Sequence, residues 1–311
     1  MERARAPLPQ RPGRAILRGL LDLRPTVRTD RTTVAVEDAV SRGLAVAKVY
    51  AFASADYPGA AQSLLFDNDG TTAVGAFVLD PSSGTTPTTA FTFKNGAYEI
   101  LVVPNSTASI ATSINAAGLI AGVYQDLAGT LHGFTNNAGT FSSVDFPGAT
   151  TTQVIDVNDA GQMVGDFLDA ASAEHGFVST GGVFTPINFP GSTGTAAAGI
   201  NSAGDIVGVW SDATGSHGFL LKAGVFTPIN FPLATSTTAF SINDSGEIAG
   251  IYIDAAGNNH GFIFSGGAFS TVDVVGARGT QLTRIKNDGS ITGAYSDAVN
   301  GQHGLTGLKS A

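Results

Sequence analysis

The sequence returns to the same landmarks about every 43 residues, and this regularity limits the chain to repeat architectures. The clearest landmark is a His-Gly-Phe tripeptide, whose last copy reads His-Gly-Leu. Its copies begin at His132, His175, His217, His260 and His303, with spacings of 43, 42, 43 and 43 residues. Each copy marks one unit of nearly constant size, and such units bury a common core only by packing against their neighbours.

Three other landmarks surround the tripeptide in a fixed order. An Ile/Val-Asn-x-x-Gly segment, typical of a type I turn closed by a left-handed glycine, begins at Ile114, Val157, Ile200 and Ile242. A Gly-x-aromatic-x-Asp segment follows and ends at Asp126, Asp169, Asp212, Asp254 and Asp297. After the tripeptide, an aromatic segment ends near Phe-Pro at 146–147, 189–190 and 231–232.

Each unit is predicted to contain four antiparallel strands, named A to D in chain order. Strand A leads into the Asn turn, strand B carries the Gly-x-aromatic-x-Asp segment, strand C starts at the histidine, and strand D ends near Phe-Pro. Pairs such as Asn95-Gly96 and Gly181-Gly182 lie between apolar runs and indicate tight hairpins. Four-stranded units of about 40–45 residues are typical of β-propeller blades.

The two ends of the repeat predict a closed ring. The last unit supplies strands A, B and C, and a spare strand D precedes the first unit, where 52–59 aligns without a gap with 141–148. A ring closed in this way has no open sheet edge between its first and last units. The sequence therefore predicts an all-β, six-bladed β-propeller of four-stranded antiparallel blades, in which an N-terminal D strand completes the last blade.

Charge divides the chain into two predicted parts, a basic N-terminal segment at 1–48 and the propeller at 49–311. The first part holds ten of the 16 basic residues and five of the 25 acidic ones, so the second carries six bases and twenty acids, a formal balance of −14. An acidic body repels phosphate backbones, and we expect no nucleic-acid partner. The basic segment is expected to be disordered or poorly packed.

Other sequence features limit the chemistry and the location that we expect for the protein. The chain has no cysteine, which excludes disulfides and thiolate chemistry. No apolar run approaches the ~18 residues of a membrane span, and the N-terminal apolar segments are too short for a signal peptide. We expect a monomer without a transmembrane segment.

The histidines and the loop aspartates all occupy repeat positions. Because the Asp that ends strand B and the His that opens strand C are five or six residues apart, we expect them to hydrogen-bond across the B–C loop and serve the fold. Spacing alone does not exclude a Ser-His-Asp triad. The positions assigned a structural role are His132, His175, His217, His260, His303, Asp126, Asp169, Asp212, Asp254 and Asp297.

No metal site or cofactor is predicted. The repeated loops offer one carboxylate each, whereas calcium takes six to eight oxygen ligands. The densest calcium candidates, Asp67-Asn68-Asp69-Gly70 and Asn287-Asp288-Gly289, are explained equally well by turn chemistry. The aromatic side chain of strand B recurs in all six units, which favours packing between blades over a platform for sugar rings.

Departures from the repeat are the remaining candidates for ligand binding. In the first unit, Phe66-Asp67 with Gly70 stands in the Ile-Asn position, and the B–C loop at 80–88 is the longest. The last unit concentrates basic residues, and one of them replaces the turn Asn. The candidate ligand-binding residues are Arg278, Arg284, Lys286 and Glu99, and no catalytic residue is identified.

The repeated pattern resembles the bacterial "probable extracellular repeat, HAF family" proteins. Ile200-Asn201-Ser202-Ala203-Gly204-Asp205-Ile206-Val207-Gly208 followed by His217-Gly218-Phe219 is similar to their Ile-Asn-x-x-Gly-x-Ile/Val-x-Gly segment and His-Ala-Phe tripeptide, with Gly in the middle position. The resemblance covers 49–311 and implies a secreted or cell-surface protein without an established activity.

Three functions follow as hypotheses. The first is a non-enzymatic propeller that binds a protein or glycan at a loop-bearing end of the ring. The second is an extracellular hydrolase or lyase with a site at the channel mouth, an analogy from fold alone. The third is a purely architectural surface repeat.

Overall fold

The computed structural model describes residues 36–37, 50–53, 57–60, 62–79, 88–296 and 302–309. These residues form strands and turns, without a helix. Every sheet is antiparallel, and six sheets of four or five strands are arranged as the blades of a ring. The predicted six-bladed β-propeller is therefore confirmed.

The four strands of each blade follow the predicted order. Strands A of blades 1 to 6 are Gln62–Asn68, Ser106–Ile114, Thr151–Val157, Gly194–Ile200, Ser236–Ile242 and Gly279–Ile285. Strands B are Thr72–Val78, Leu119–Asp126, Met163–Leu168, Ile206–Ser211, Ile248–Ile253 and Ile291–Ser296. Strands C are Thr89–Lys94, Leu131–Asn137, Glu174–Thr180, Ser216–Lys222, Asn259–Ser265 and Gln302–Lys309. Strands D of blades 1 to 5 are Ala97–Ile100, Thr140–Val144, Val183–Ile187, Val225–Ile229 and Ala268–Val274.

The ring is closed by a strand from the N-terminal side of the repeat. Tyr50–Ala53 is strand D of blade 6 and pairs antiparallel with Gln302–Lys309. Strands A lie innermost and contact one another around the axis, including strand A of blade 6 with strand A of blade 1. The closure predicted from 52–59 is thus present, with the strand itself starting at Tyr50.

A two-residue strand, Val36–Glu37, adds a fifth strand to blade 5. It pairs antiparallel with strand D of that blade, Val36 opposite Val274. It belongs to the basic segment predicted at 1–48, and the rest of that segment lies outside the described residues.

The core lies between the blades. The Phe of the tripeptide is fully buried in each regular blade, and its equivalents are Phe91 in blade 1 and Leu305 in blade 6. The strand-B glycine makes room for this ring, since a Cβ on Gly208 would lie 2.1 Å from the Ala196 carbonyl oxygen and 2.8 Å from the ring of Phe219. The tripeptide is therefore mainly a packing motif.

Every strand A carries a β-bulge at the same place, two residues before the turn. A bulge re-aims the side chain beside it. The residues that follow the six bulges occupy one equivalent position around the axis, and we call them the axial ring. The axial ring consists of Asp67, Ser113, Asp156, Gly199, Ser241 and Arg284.

The bulges correct the alignment of the first unit. Asp67 pairs with Val74 as Ser113 pairs with Ala121, so Asp67 belongs to the axial ring. Asp69 takes the place of the turn Asn, and its turn closes by a hydrogen bond from Asp69 N–H to the Thr72 carbonyl. The alignment that put Asp67 at the Asn position was wrong by two residues, because this turn is one residue shorter than the others.

Candidate functional site

A cavity of about 380 Å³ opens on the axis at the end of the ring where strands A turn into strands B. Its floor contains axial-ring residues, and its walls and rim are the Asn turns of the blades. We call this cavity the A–B mouth. Among the described residues, the lining contains six aspartates, one arginine and one lysine, a formal charge of −4, and neither histidine nor aromatic side chains.

Arg284 crosses the channel at the floor of the A–B mouth. Its Nη1 lies 2.7 Å from Asp156 Oδ1 in blade 3, on the opposite side of the ring, and its Nη2 lies 3.2 Å from Asp67 Oδ2 in blade 1. Nη2 also donates to the Thr112 carbonyl in blade 2, at 3.4 Å. One guanidinium from blade 6 therefore ties three other blades together.

The two carboxylates at the floor are saturated by the protein. Ser113 Oγ lies 3.0 Å from Asp67 Oδ2 and 2.7 Å from Asp156 Oδ1. Backbone N–H groups donate to all four carboxylate oxygens, including Ile114 N–H to Asp67 Oδ2 and Ile200 N–H to Asp156 Oδ2. These aspartates are thus fixed acceptors that also join blades 1 to 4 in sequence.

At the floor of the A–B mouth, burial and neighbouring charges shift the pKa values of Asp67 and Arg284 in opposite directions. Burial raises the pKa of Asp67 above its ordinary value, although the guanidinium of Arg284 acts in the opposite direction. Burial also works against the charge of Arg284, but the attraction of Asp156 and Asp67 outweighs it and leaves the pKa of Arg284 above its ordinary value. Arg284 is therefore a permanent positive charge in a buried acidic setting.

The walls of the A–B mouth are a ladder of asparagines. The Nδ2 of each turn Asn donates to the backbone carbonyl of the equivalent residue in the next blade, at 2.9–3.3 Å. The Oδ1 of Asn115 accepts two N–H groups of its own turn, as the equivalent oxygens do in the next two blades, and Asn243 Oδ1 accepts the Glu247 N–H. The donors run from Asn115 through Asn158 and Asn201 to Asn243, and the last acceptor is the Lys286 carbonyl.

Lys286 continues this ladder into blade 1 with a cation. Its Nζ donates to the backbone carbonyl of Asn68 and, at 2.6 Å, to Asn68 Oδ1. Burial lowers the pKa of Lys286 below its ordinary value, and the attraction of Asp67 offsets part of this effect. The lysine replaces the turn Asn where the shorter turn of blade 1 requires a longer reach.

Four aspartates form the rim, Asp69, Asp159, Asp244 and Asp288. Asp159 Oδ1 accepts the Ala116 N–H of the neighbouring blade, at 2.8 Å. Hydrogen bonds from Ser202 lower the pKa of Asp244, and those from Ser290 lower the pKa of Asp288. The rim therefore remains negatively charged at neutral pH.

The structure brings together two of the four predicted ligand-binding residues. Arg284 and Lys286 both line the A–B mouth. Arg278 lies at the other end of strand A, in the loop from blade 5, where its N–H donates to the Ser296 carbonyl. Glu99 is exposed on strand D of blade 1, opposite Thr92. A ligand-binding role for these residues stays a prediction, and most of the predicted loop, residues 80–87, lies outside the described residues.

The predicted Asp–His bonds occur at the opposite end of the ring from the A–B mouth. The His Nε2 lies 3.3 Å from the loop carboxylate in blades 2 to 5, at His132, His175, His217 and His260. In blades 2 and 5, Nδ1 also lies 2.7 Å from a second carboxylate, Asp145 or Asp273. Asp297 and the side chain of His303 lie outside the described part of the chain.

The strand-B aromatics pack between blades, as predicted. Phe146, in the loop from blade 2, stacks on Phe167 of blade 3 with ring centroids 3.7 Å apart. Phe167 in turn stacks on His175, at 5.1 Å. The same three-ring arrangement occurs at Phe231, Tyr252 and His260, and at Phe189, Trp210 and His217, where the histidine ring is tilted by 30° against the indole.

Sequence reasoning missed Asp156 as a site residue and assigned Asp67 only to a calcium-type turn. The signal was present two residues before each turn Asn, where regular units carry Ser, Asp, Gly and Ser and the last unit carries Arg284. Among the described residues, no group of three or more His, Asp or Glu side chains is arranged to hold a metal ion. Asp67 instead contacts Arg284.

Comparison with known proteins supports the fold alone. No family model matches the chain, and the search of curated proteins finds no match. TolB from Acinetobacter baumannii is similar at 9% identity and a TM-score of 0.57, covering 81% of this chain and 66% of its own. A triple arginine-to-alanine mutant of AofleA from Arthrobotrys oligospora has 11% identity and a TM-score of 0.50, covering 83% and 90%. The propeller domain of the Trilobed protease from Pyrococcus furiosus has 10% identity and a TM-score of 0.49, covering 80% and 94%.

No helix in the described residues is long and apolar enough to cross a membrane. The fold and the site thus define the class of protein, a six-bladed β-propeller with a polar, acidic mouth on its axis.

Proposed function

We propose that this protein is a non-enzymatic binding propeller whose A–B mouth receives a basic side chain of a protein partner. The observation that carries the proposal is the charge of the mouth, six carboxylates against two cations in an axial cavity of about 380 Å³. Pockets of about 300–1,000 Å³ are the usual size for one bound group or small ligand.

The cations of the mouth do not cancel its attraction for a positive ligand. Arg284 is held by Asp67 and Asp156, and Lys286 is held by Asn68. The rim carboxylates Asp159 and Asp244 are exposed and face the entrance. A cleft lined mainly by one sign of charge concentrates ligands of the opposite sign and accelerates their association.

Other ligand classes fit less well. The part of the lining that the structure describes offers no aromatic face on which a sugar ring could stack. The mouth is too polar for an apolar molecule, whose pockets are lined predominantly by hydrophobic side chains. The acidic body, with its balance of −14, repels nucleic acid.

The proposal is tested by calorimetry with defined probes. Trilysine and triglutamate peptides represent a protein ligand, spermidine represents a free amine, and a glycan array covers carbohydrates. We expect trilysine to bind and triglutamate not to bind, with weaker binding at higher salt because the attraction is electrostatic. Binding of spermidine without the peptide, of glycans only, or of none of the probes overturns the proposal.

A matched pair of variants locates the binding. Asp159→Asn removes one rim charge and keeps the oxygen that accepts the Ala116 N–H. Glu99→Gln removes one charge far from the mouth. We expect Asp159→Asn to weaken trilysine binding about three- to fivefold, as one exposed ion pair is worth up to about 1 kcal/mol, and Glu99→Gln to leave it unchanged.

A second function, an extracellular hydrolase or lyase, has one observation in its favour, the convergence of Asp67, Asp156 and Arg284 at the cavity floor. A general acid or base needs a carboxyl oxygen available to substrate. Here all four oxygens already accept backbone N–H groups. Turnover of a polymeric substrate that is abolished by Asp156→Asn would favour this function over the binding propeller.

The cellular setting is part of the proposal. The resemblance to HAF-repeat proteins supports a secreted or cell-surface protein, where the mouth would meet partners outside the cell. Fractionation of cells that express the full chain tests this, and recovery only in the cytoplasm contradicts it.

A further inference from the structure

The positive charge of this chain is concentrated ahead of the propeller. Residues 1–35 contain eight arginines and three acidic residues, a formal balance of +5, whereas 49–311 carries −14. We call residues 1–35 the arginine segment, and it lies outside the described residues. Its basic residues are Arg3, Arg5, Arg11, Arg14, Arg18, Arg24, Arg28 and Arg31. One chain thus carries both an acidic cavity and a segment of opposite charge.

The propeller itself offers few cations to an acidic surface of another molecule. Its six basic residues are Lys94, Lys222, Arg278, Arg284, Lys286 and Lys309. Arg284 and Lys286 are held inside the A–B mouth, and Lys222 pairs with Asp205. The arginine segment is therefore the main source of positive charge that one copy of the chain can present to another.

The strand at Val36–Glu37 shows at which end of the ring the arginine segment is attached. Val36 lies opposite Val274, the last residue of strand D in blade 5, and Glu37 lies opposite Asp273. Strand D ends where the chain enters strand A of the next blade, at the end of the ring opposite the A–B mouth. Because the pairing is antiparallel, the chain reaches Val36 from that opposite end.

This attachment favours the mouth of a second copy over the mouth of the same copy. To reach its own mouth, the segment would have to reverse direction and pass along blade 5, whose six- and seven-residue strands are about 20 Å long. A second copy stacked in the same orientation presents its mouth to the end where the segment is attached. A chain of 35 residues spans at most about 120 Å, so length does not prevent this contact.

The charges at the two ends of the ring also favour an arginine bridge. The end opposite the mouth holds the loop aspartates Asp126, Asp169, Asp212 and Asp254, so like charge opposes direct contact between an end of this kind and a mouth. These aspartates lie one to a blade, and each accepts N–H groups of its own loop. The aspartates of the mouth instead converge on the axis, which makes the mouth the stronger site for cations.

The rim of the mouth suits arginine in particular. Asp159, Asp244 and Asp288 are exposed there, and hydrogen bonds keep the pKa of Asp244 and of Asp288 below its ordinary value. A guanidinium stays charged throughout the pH range in which these carboxylates are ionised, and it binds a carboxylate through two parallel N–H groups.

We propose that the arginine segment of one copy binds in the A–B mouth of a second copy, so that copies associate head to tail. The proposal rests on the proposed function of the mouth, the binding of basic side chains, and identifies the partner as this same chain. A head-to-tail pair leaves one mouth and one segment unused, so further copies can add. The monomer expected from the sequence is then the state at high salt, where the attraction is screened.

Two variants of the full chain separate the two halves of this contact. The segment variant combines Arg11→Gln, Arg14→Gln and Arg18→Gln. The mouth variant combines Asp159→Asn and Asp288→Asn, which keep the oxygens that accept N–H groups. In sedimentation velocity at low salt, we expect the wild type to associate as its concentration rises and each variant alone to associate about tenfold more weakly. Glu99→Gln, a charge change far from the mouth, should associate like the wild type.

An equal mixture of the two variants tests whether the contact joins separate copies. The mouth variant supplies an intact segment and the segment variant supplies an intact mouth, so the mixture should form a complex that stops at two chains. A segment bound in its own mouth gives no such complex. A mixture that stays monomeric, a wild type that is monomeric at low salt, or association that neither variant weakens overturns the proposal.

A synthetic peptide of residues 1–35 keeps the test decisive if a variant folds poorly. Titrated into dilute wild-type protein, it should bind, and the same peptide with the three Arg→Gln changes should bind about tenfold more weakly. Absence of peptide binding overturns the proposal. Trilysine then separates the two proposals: if trilysine binds and the peptide does not, only the head-to-tail contact fails, whereas failure of both probes removes the proposed function as well.

Discussion

Neighbouring blades are joined in two different ways in this ring. From blade 2 to blade 6 one neutral contact repeats at every junction, in which the turn Asn donates to a carbonyl of the next blade. The carboxylates of Asp156, Asp159 and Asp244 accept further hydrogen bonds across these junctions. Between blade 6 and blade 1 the same places are taken by Lys286 and Arg284. At the regular junctions, the short side chain of Asn spans a constant distance between neighbouring blades. At the closing junction, the longer side chains of Lys286 and Arg284 reach blade 1, whose turn is shorter.

The difference shows what closing a ring demands of a repeat. Identical units set identical spacings, so a short polar side chain serves every regular junction. The closing junction joins the two most divergent units, and Arg284 extends its contacts to blades 2 and 3 as well. Charge gives these contacts their strength, and burial makes them costly to break.

The sharpest way to break this comparison is to remove Arg284. Arg284→Met leaves Asp67 and Asp156 buried without their counter-charge, and we expect the free energy of unfolding to fall by about 3–5 kcal/mol. Equilibrium unfolding in urea at pH 7 measures the loss. Adding Asp67→Asn and Asp156→Asn should restore part of it.

An ion pair with one exposed member provides the control for Arg284. Lys222 lies 2.6 Å from the buried Asp205, but its own side chain is 65% exposed. Lys222→Met should cost about 1 kcal/mol, less than Arg284→Met, because solvent reaches the ammonium and screens the pair. Equal losses in Lys222→Met and Arg284→Met would show that the channel floor has no special role in stability.

A smaller effect separates the two kinds of ladder contact. Asn201→Ala removes a buried donor and the cap of two N–H groups in its own turn, and we expect a loss of about 2 kcal/mol. Lys286→Met removes only donated bonds from a half-buried side chain, and we expect about 1 kcal/mol. Urea unfolding of both variants compares them, and a larger loss in Lys286→Met would place the main strength of the ladder at the closing junction.

The smallest effect concerns pH at the other end of the ring. Burial tends to lower the pKa of His132, but Asp145 and Asp126 raise it above its ordinary value. The contact of His132 with Asp145 and Asp126 therefore stabilises the fold fully below the ordinary pKa of histidine. This stabilisation is lost as the pH rises through the pKa of His132 in the folded protein. Asp145→Asn copies the pairing of His175 with Asn188 in blade 3, and it should lower the pKa of His132 and weaken this dependence. An unchanged NMR titration of His132 in the variant would contradict a stabilising role for its contact with Asp145.

The fold was predictable because its determinants are local and repeated. The period, the hairpin pairs and the spare strand at 52–59 defined six blades and their closure. The Asn turn was also predicted, and its glycine is left-handed in every regular copy, with φ of 81° at Gly118. The hydrogen bond from each Asn to the next blade was not predictable, because it depends on the distance between blades.

The candidate site was predictable only in part. Arg284 and Lys286 stood out because they break the repeat. Asp67 escaped because the shorter turn shifted its alignment. Asp156 escaped because the variation two residues before the turn Asn is visible in the sequence, whereas the bulge that turns this position to the axis is not.

The displaced strand also has a consequence for how the protein folds. Tyr50 pairs with Lys309, so the final blade joins positions at almost opposite ends of the described chain. Such a contact carries a large loop-closure entropy, and folding slows as contacting residues become more distant in sequence. During synthesis, Tyr50–Ala53 has to wait until blades 1 to 5 and the partner strand have emerged. We therefore expect an open ring with an unpaired edge on blade 6 as the last folding intermediate and the species most prone to associate with its own copies.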